Sequence, residues 1–139
     1  MANVKFFRTN ATPRTLESRQ EAKGLGAVGE QLATCWLVDH GYAILEKNYR
    51  RGNHELDIIA MDGGELVVVE VKTRSDTLFG APEDAVDHRK RQILVRMANQ
   101  YIRSHRWQGT TRFDILSIVT RDGQPDIHHI KDAFNVMNY

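Results

Sequence analysis

The residues best suited to chemistry are two carboxylates and an amine, Asp57, Glu70 and Lys72. Strand alternation from Glu65 to Thr73 puts Leu66, Val68, Glu70 and Lys72 on one face and Val67, Val69 and Val71 on the other, so two charges interrupt an apolar face. The preceding run, Glu55 to Met61, also reads as a strand, and Asp62-Gly63-Gly64 between the two is hairpin-turn chemistry. With Gly63-Gly64 as a two-residue turn, Asp62 pairs with Glu65, Asp57 falls opposite Glu70, and Glu55 falls opposite Lys72. Opposed residues have Cβ atoms roughly 4.5 to 5.5 Å apart, where two carboxylates can reach one cation and otherwise repel. A three-residue turn would shift the register by one and separate Asp57 from Glu70.

Carboxylates without histidine or thiolate partners suit a hard ion such as Mg²⁺, commonly held by one or two protein carboxylates together with substrate phosphate. The implied chemistry is hydrolysis at phosphorus, with Lys72 orienting or helping to deprotonate the attacking water and offsetting charge that builds on the phosphate. The competing structural account is a cross-strand ion-pair ladder in which Asp57, Glu70 and Lys72 neutralise one another.

The elements that must position these residues are legible on either side. From Gly24 to about His40, Leu25, Val28, Leu32, Cys35 and Trp36 recur on one side of a helix that Gly41 terminates. Gly26, Gly29 and Ala33 form a small-residue strip on its flank that permits close approach to a sheet, with Glu30 at the edge of the strip. Three strand-like runs follow, Tyr42 to Tyr49, Glu55 to Met61 and Glu65 to Thr73, and they predict an antiparallel meander. Pro82 fits the first turn of a second helix that carries Ala85, Val86, Ile93, Leu94, Met97, Ala98, Tyr101 and Ile102 toward the core. An apolar strand from Arg112 to Val119, a turn at Arg121-Asp122-Gly123 and a short strand near Ile127 to Ile130 complete the order α-β-β-β-α-β-β. That order predicts an α/β fold with a mixed central sheet flanked by helices.

Residues 1–22 mix Thr, Asn, Pro, Arg and Glu without periodicity and read as a flexible basic arm, which leaves residues 23–139 as a single domain. The formal net charge of +1 hides a basic N-terminal stretch and a second basic segment holding Arg89, Lys90, Arg91, Arg96, Arg103 and Arg106. Acidic residues concentrate between them, a distribution that can steer a polyanion toward an acidic centre. With Cys35 as the single cysteine, neither an internal disulfide nor a cysteine zinc cluster can form, and Cys35 reads as core filler in a reducing cytoplasm. No run approaches the roughly 18 apolar residues of a membrane span, so no membrane partner is expected and the protein should be cytoplasmic.

Other candidates weigh less. Neighbours on a strand point to opposite faces, so His128 and His129 cannot readily chelate one ion together. His54 lies in a loop beside the proposed site and reads as an exposed turn residue. Trp107 follows a basic stretch and is a candidate for stacking on a base. Arg50, Arg51 and Arg74 flank the hairpin ends, where they can grip a phosphate backbone or simply be solvated.

Asp57, twelve intervening residues and then Glu70-Val71-Lys72 resemble the D…E-x-K core of the PD-(D/E)xK nucleases, the restriction endonuclease-like superfamily. The segments GAVGEQLA, YRRGNHELDIIA, LVVVEVKTR and RFDIL are together similar to the bacterial YraN family, endonuclease-like proteins with distant similarity to archaeal Holliday junction resolvases. The resemblance covers about Gly24 to Phe134, and the motif name's Pro is replaced here by Leu56, a position that contributes no ligand. It implies a restriction endonuclease-like α-β-β-β-α-β core. It also implies a divalent metal, Mg²⁺ or Mn²⁺, held by Asp57, Glu70 and the main-chain carbonyl of Val71, with Lys72 and Glu30 assisting hydrolysis. Lys90, on the second helix, occupies a place from which a basic residue often approaches phosphate in this fold. The expected activity is therefore that of an endonuclease on branched, flapped or nicked DNA in recombination or repair, a homodimer if the substrate is a junction. The alternative is a nucleic-acid-binding accessory protein that keeps the fold without turnover.

Overall fold

The computed structural model describes residues 16–74 and 86–134. Helix α1 spans Leu16–Asp39, strands β1, β2 and β3 span Ala43–Arg51, His54–Asp62 and Glu65–Arg74, helix α2 spans His88–Ser104, and strands β4 and β5 span Thr111–Arg121 and Gln124–Phe134. The five strands form one sheet in the order β1-β2-β3-β4-β5. β1, β2 and β3 are an antiparallel meander; β4 runs parallel to β3 after the α2 crossover, and β5 returns antiparallel to β4. The predicted order and the mixed sheet are thus observed.

Each helix closes one face of the sheet. Leu94, Val95, Met97, Ala98 and Tyr101 of α2 pack with Leu56, Ile59, Leu66, Val68, Phe113 and Ile115. Ala33 and Leu37 of α1 pack with Ile58, Ala60, Val67, Val69, Val71, Leu116 and Ile118. β3 and β4 lie in the middle with both faces covered, which is why they read as nearly unbroken apolar runs.

Several boundaries differ from the sequence expectation, and β5 runs over Gln124–Phe134 where a short strand near Ile127 to Ile130 is expected. α1 begins at Leu16 instead of Gly24, because Glu17 through Lys23 are mostly good helix formers even without apolar periodicity. Of the expected arm, residues 1–15 lie outside the described residues, and residues 16–22 belong to α1. α2 begins at His88, where the Asp87 side chain caps the helix by accepting from the Lys90 main-chain N–H; Pro82 and Ala85 lie outside the described residues.

The buried face of α1 is also rotated from the apolar stripe. Gly26, Gly29, Glu30, Ala33 and Leu37 face inward, whereas Val28 and Cys35 are exposed, so Cys35 is not core filler. Close approach wins over hydrophobicity here: a Cβ placed on Gly29 would overlap Thr73 Oγ1 of β3. The same rotation turns Glu30 into the protein, leaving it 3% exposed.

At the turn end of the β2–β3 hairpin a second buried polar group fastens the sheet. Arg112 of β4 donates to Asp114 at 2.9 and 3.0 Å, to Glu65 at 2.8 Å and to the Tyr42 hydroxyl at 2.7 Å, and it pairs with Asp62 at 3.0 Å. Asp114 further accepts from His129 at 2.7 Å and from the Asp132 main-chain N–H at 3.0 Å. Burial alone would lower the Arg112 pKa, but its carboxylate partners raise it overall, so it stays charged.

Candidate metal centre

Gly63-Gly64 is the two-residue turn, with Gly63 at φ 60° as a hairpin turn of this kind requires. Asp62 pairs with Glu65, and the ladder continues to Ile58 opposite Val69. At the next step, where Asp57 would face Glu70, main-chain pairing stops. Asp57 Oδ2 instead accepts the Val71 main-chain N–H at 2.9 Å, a carboxylate standing where a strand carbonyl would. Regular alternation breaks at the same place, since Leu56 and Ile59 share one core cluster while Ile58 lies in the other. Across on β1, between the Lys47–Ile58 and Tyr49–Leu56 pairs, Asn48 adopts φ 55°, a left-handed conformation that asparagine tolerates better than most residues.

This local distortion gathers carboxylates from two elements. Oxygens of Glu30 on α1 and of Glu55 and Asp57 on β2 lie within 4.8 Å of one another. With its nitrogen turned toward them, the Asn48 carboxamide donates to Glu30 Oε2 at 3.0 Å and Glu55 Oε1 at 3.1 Å. Arg50 pairs with Glu55 at 3.0 Å from an otherwise exposed position. Glu30, Asp57, Glu70 and Lys72 are each no more than 3% exposed, a concentration of buried charge far beyond what a solvated ladder needs.

Glu70 and Lys72 keep the face that alternation assigned them. Glu70 meets Lys90 of α2 at 3.6 Å. Of the arginines expected at the hairpin ends, Arg50 reaches the acidic group, Arg51 is exposed beside the β1–β2 turn, and Arg74 is enclosed at 3% exposure at the end of β3. Glu55, expected opposite Lys72, joins Glu30 and Asp57 in the acidic group, whereas Asn48 was not singled out from the sequence. Residues two apart on a strand share a face, which sets Glu55 beside Asp57; nothing in the sequence marked Asn48.

The donor set fits a hard divalent cation. Three carboxylates able to converge on one point offer only oxygen, the chemistry Mg²⁺ and Mn²⁺ accept, and their approach would otherwise be opposed by mutual repulsion. The histidines do not compete: His128 is exposed against Asp126, while His129 is half-buried on Asp114, on opposite sides of β5 as alternation requires. Trp107 serves the α2–β4 loop, its indole N–H donating to the Thr110 carbonyl at 3.1 Å, and it packs against the α2-side core.

Comparison with known proteins bears on all of these residues at once. The family described as "Uncharacterised protein family UPF0102" matches residues 29–118, which take in every member of the acidic group. The chain belongs to the UPF0102 family. It is 46% identical over 114 residues to the UPF0102 protein of Bacteroides thetaiotaomicron, covering 82% of this chain and 94% of that one. It is 42% identical over 122 residues to the UPF0102 protein of Geotalea daltonii, covering 86% of this chain and 96% of that one. A UPF0102 protein of Bacteroides fragilis is 46% identical over 110 residues, 79% of this chain and 91% of its own length. The YraN resemblance read from the motifs points to this same family. No helix among the described residues is long and apolar enough to cross a membrane.

Proposed function

We propose that this UPF0102 chain is a cytoplasmic, Mg²⁺-dependent endonuclease that hydrolyses phosphodiester bonds in branched, flapped or nicked DNA. The observation that carries the reading is the convergence of Glu30, Glu55 and Asp57 within 4.8 Å at the point where β2 leaves β3, with Glu70 and Lys72 buried on the adjoining strand.

In that reading Asp57 is the fixed ligand. The Val71 N–H holds one of its oxygens and thereby sets the orientation of the carboxylate. Glu30 arrives on the rigid α1, seated against Thr73 through Gly29, and Asn48 holds Glu30 and Glu55 at a common distance. A bound Mg²⁺ supplies Lewis acidity and neutralises charge developing on the phosphate. Glu70 and Val71 stand beside the centre on β3 as further oxygen donors, Val71 through its carbonyl. Lys72 carries the ammonium that orients the attacking water and offsets charge on the phosphate oxygens. Lys90, paired with Glu70, is the basic residue that would meet an entering phosphate.

Cleavage of labelled four-way junction, flap, nicked duplex and single-stranded DNA, with Mg²⁺ or Mn²⁺, tests the reading against Asp57→Asn, Glu70→Gln and Lys72→Ala. Metal-dependent cutting by the wild type, lost in all three variants, is expected. Binding without cutting, unchanged by Lys72→Ala, would replace the enzyme with a non-catalytic nucleic-acid-binding protein.

A further inference from the structure

Away from the acidic centre, a groove of about 720 Å³ runs between the β1–β2 turn and α2. Its walls include Arg51 and His54 from the turn and Arg96, Met97, Gln100 and Arg103 from the helix, and among the described residues no carboxylate lines it. Three guanidiniums facing one concavity without an acidic partner in its lining are an anion-binding arrangement, and their spacing says which kind. Arg96 and Arg103 are seven residues apart on one helix face, about 10 Å along the axis. That span is too long for one phosphate and matches about three nucleotide steps along a duplex strand.

Arg51 is held ready. Its Nε donates to the Tyr49 hydroxyl at 2.9 Å, and Tyr49 is itself buried against Tyr101 of α2 with ring centroids 5.3 Å apart. The two terminal guanidinium nitrogens are left to present a fork to phosphate oxygens. Between the arginines, Ile93 and Met97 supply an apolar floor, and the Gln100 carboxamide oxygen is buried without a hydrogen-bond partner among the described residues. An apolar floor with one acceptor suits sugars and base edges better than a compact inorganic anion, whose whole surface seeks donors. Along β2 the groove and the acidic centre are near in the chain: His54 on its wall precedes Glu55, and Asp57 is three strand residues further, about 10 Å.

We propose that this groove seats the sugar–phosphate backbone of a nucleic acid, with Arg51, Arg96 and Arg103 gripping separate phosphates along it. The inference rests on the nuclease reading for its substrate, but it assigns a binding surface separate from the residues that would do chemistry.

The test is fluorescence anisotropy of the full chain with a labelled DNA duplex in a salt series containing EDTA, so that cutting plays no part. Arg96→Gln/Arg103→Gln, both exposed, is compared with Arg121→Gln, an exposed arginine at the β4–β5 turn. The double variant should bind at least about tenfold more weakly, and the slope of log K against log salt should shrink by about 2, one for each phosphate that no longer meets a guanidinium. Arg121→Gln should leave both quantities near wild type. Equal losses in the double variant and Arg121→Gln, or an unchanged slope in the double variant, would overturn the groove. In that case metal-dependent cutting by the wild type would still uphold the nuclease reading, whereas a wild type that binds no nucleic acid at all would overturn both.

Discussion

Buried charge collects at both ends of the β2–β3 hairpin, and the two collections are built on opposite plans. At the turn end the chain brings its own cation to the middle: Asp62, Glu65 and Asp114 all address Arg112, with Tyr42 and His129 closing the remaining sides. At the open end the carboxylates of Glu30, Glu55 and Asp57 converge on one another, while Asn48 and Arg50 reach them from one side. Both plans distort a strand. Asn48 at φ 55° accompanies Asp57, and Asp132 at φ 55° accompanies the register shift beside Asp114. The difference teaches which cluster is a fastener and which is a receptacle, since a buried carboxylate group that carries its counter-ion is complete in itself, and one whose oxygens share a common point is suited to an ion from outside.

The largest effect expected from this contrast is on stability. Arg112→Met removes the cation from around fully buried Asp114 and should cost about 3 kcal/mol, the Asp62 and Glu65 arms adding less because a third of each side chain is exposed. Asp57→Asn keeps an acceptor for the Val71 N–H and lessens repulsion among carboxylates, so its urea midpoint should match or exceed that of the wild type. If Asp57→Asn proved as destabilising as Arg112→Met, the acidic end would be a structural cluster like the other.

Metal response separates the ends next. Mg²⁺ or Mn²⁺ at about a hundredfold excess over its Kd should stabilise the wild type by about 2.7 kcal/mol, read as a rise in Tm. Glu30→Gln and Asp57→Asn should lose most of that rise, and Asp114→Asn should retain it. An equal rise in all four proteins would mean that the ion binds elsewhere.

A smaller effect probes how α1 delivers Glu30. Gly29→Ala forces a methyl group onto Thr73 Oγ1 and should cost about 1 to 3 kcal/mol while weakening the metal-induced rise in Tm. Adding Thr73→Ala removes the obstructing hydroxyl and should recover a large part of both losses. Additive losses in the double variant, measured by urea unfolding, would show that the close approach does not position Glu30.

The same contrast explains what the sequence could reveal. The Gly63-Gly64 turn sets a register that holds from Asp62 opposite Glu65 through Ile58 opposite Val69 and stops one step short of Asp57, which accepts the Val71 N–H instead of pairing across from Glu70 as alternation predicts. The Gly26-Gly29-Ala33 strip foretold the close helix approach, yet the apolar stripe through Val28 and Cys35 suggested the wrong buried face; hydrophobicity was the weaker guide where backbone proximity set the packing. Asn48, Arg112 and Asp114 escaped for a common reason. Each sits at or beside a break in regular strand geometry, or reaches a partner on a distant strand, and periodicity carries no information about either. Arg112 and Asp114 in particular stood inside what read simply as an apolar strand.

Acidity offers the gentlest way to tell the two ends apart. Burial would raise the Asp114 pKa, but the His129 contact, the Arg112 bonds and the Asp132 N–H together outweigh it and lower the value below the usual carboxylate range. A carboxylate whose folded pKa is depressed adds stability that is present above its unfolded pKa and is lost as pH falls through the folded one. Stability should therefore decline on the acid side across that interval as Asp114 takes up its proton. Because the net shift is what survives two opposing influences, the decline should be shallower than the loss caused by removing Arg112. Urea unfolding followed from neutral to acidic pH should show Asp114→Asn, already weaker at neutrality, with a flatter acid limb than the wild type. A limb of unchanged slope would place the acid sensitivity in other carboxylates and remove Asp114 from the centre of the fastener.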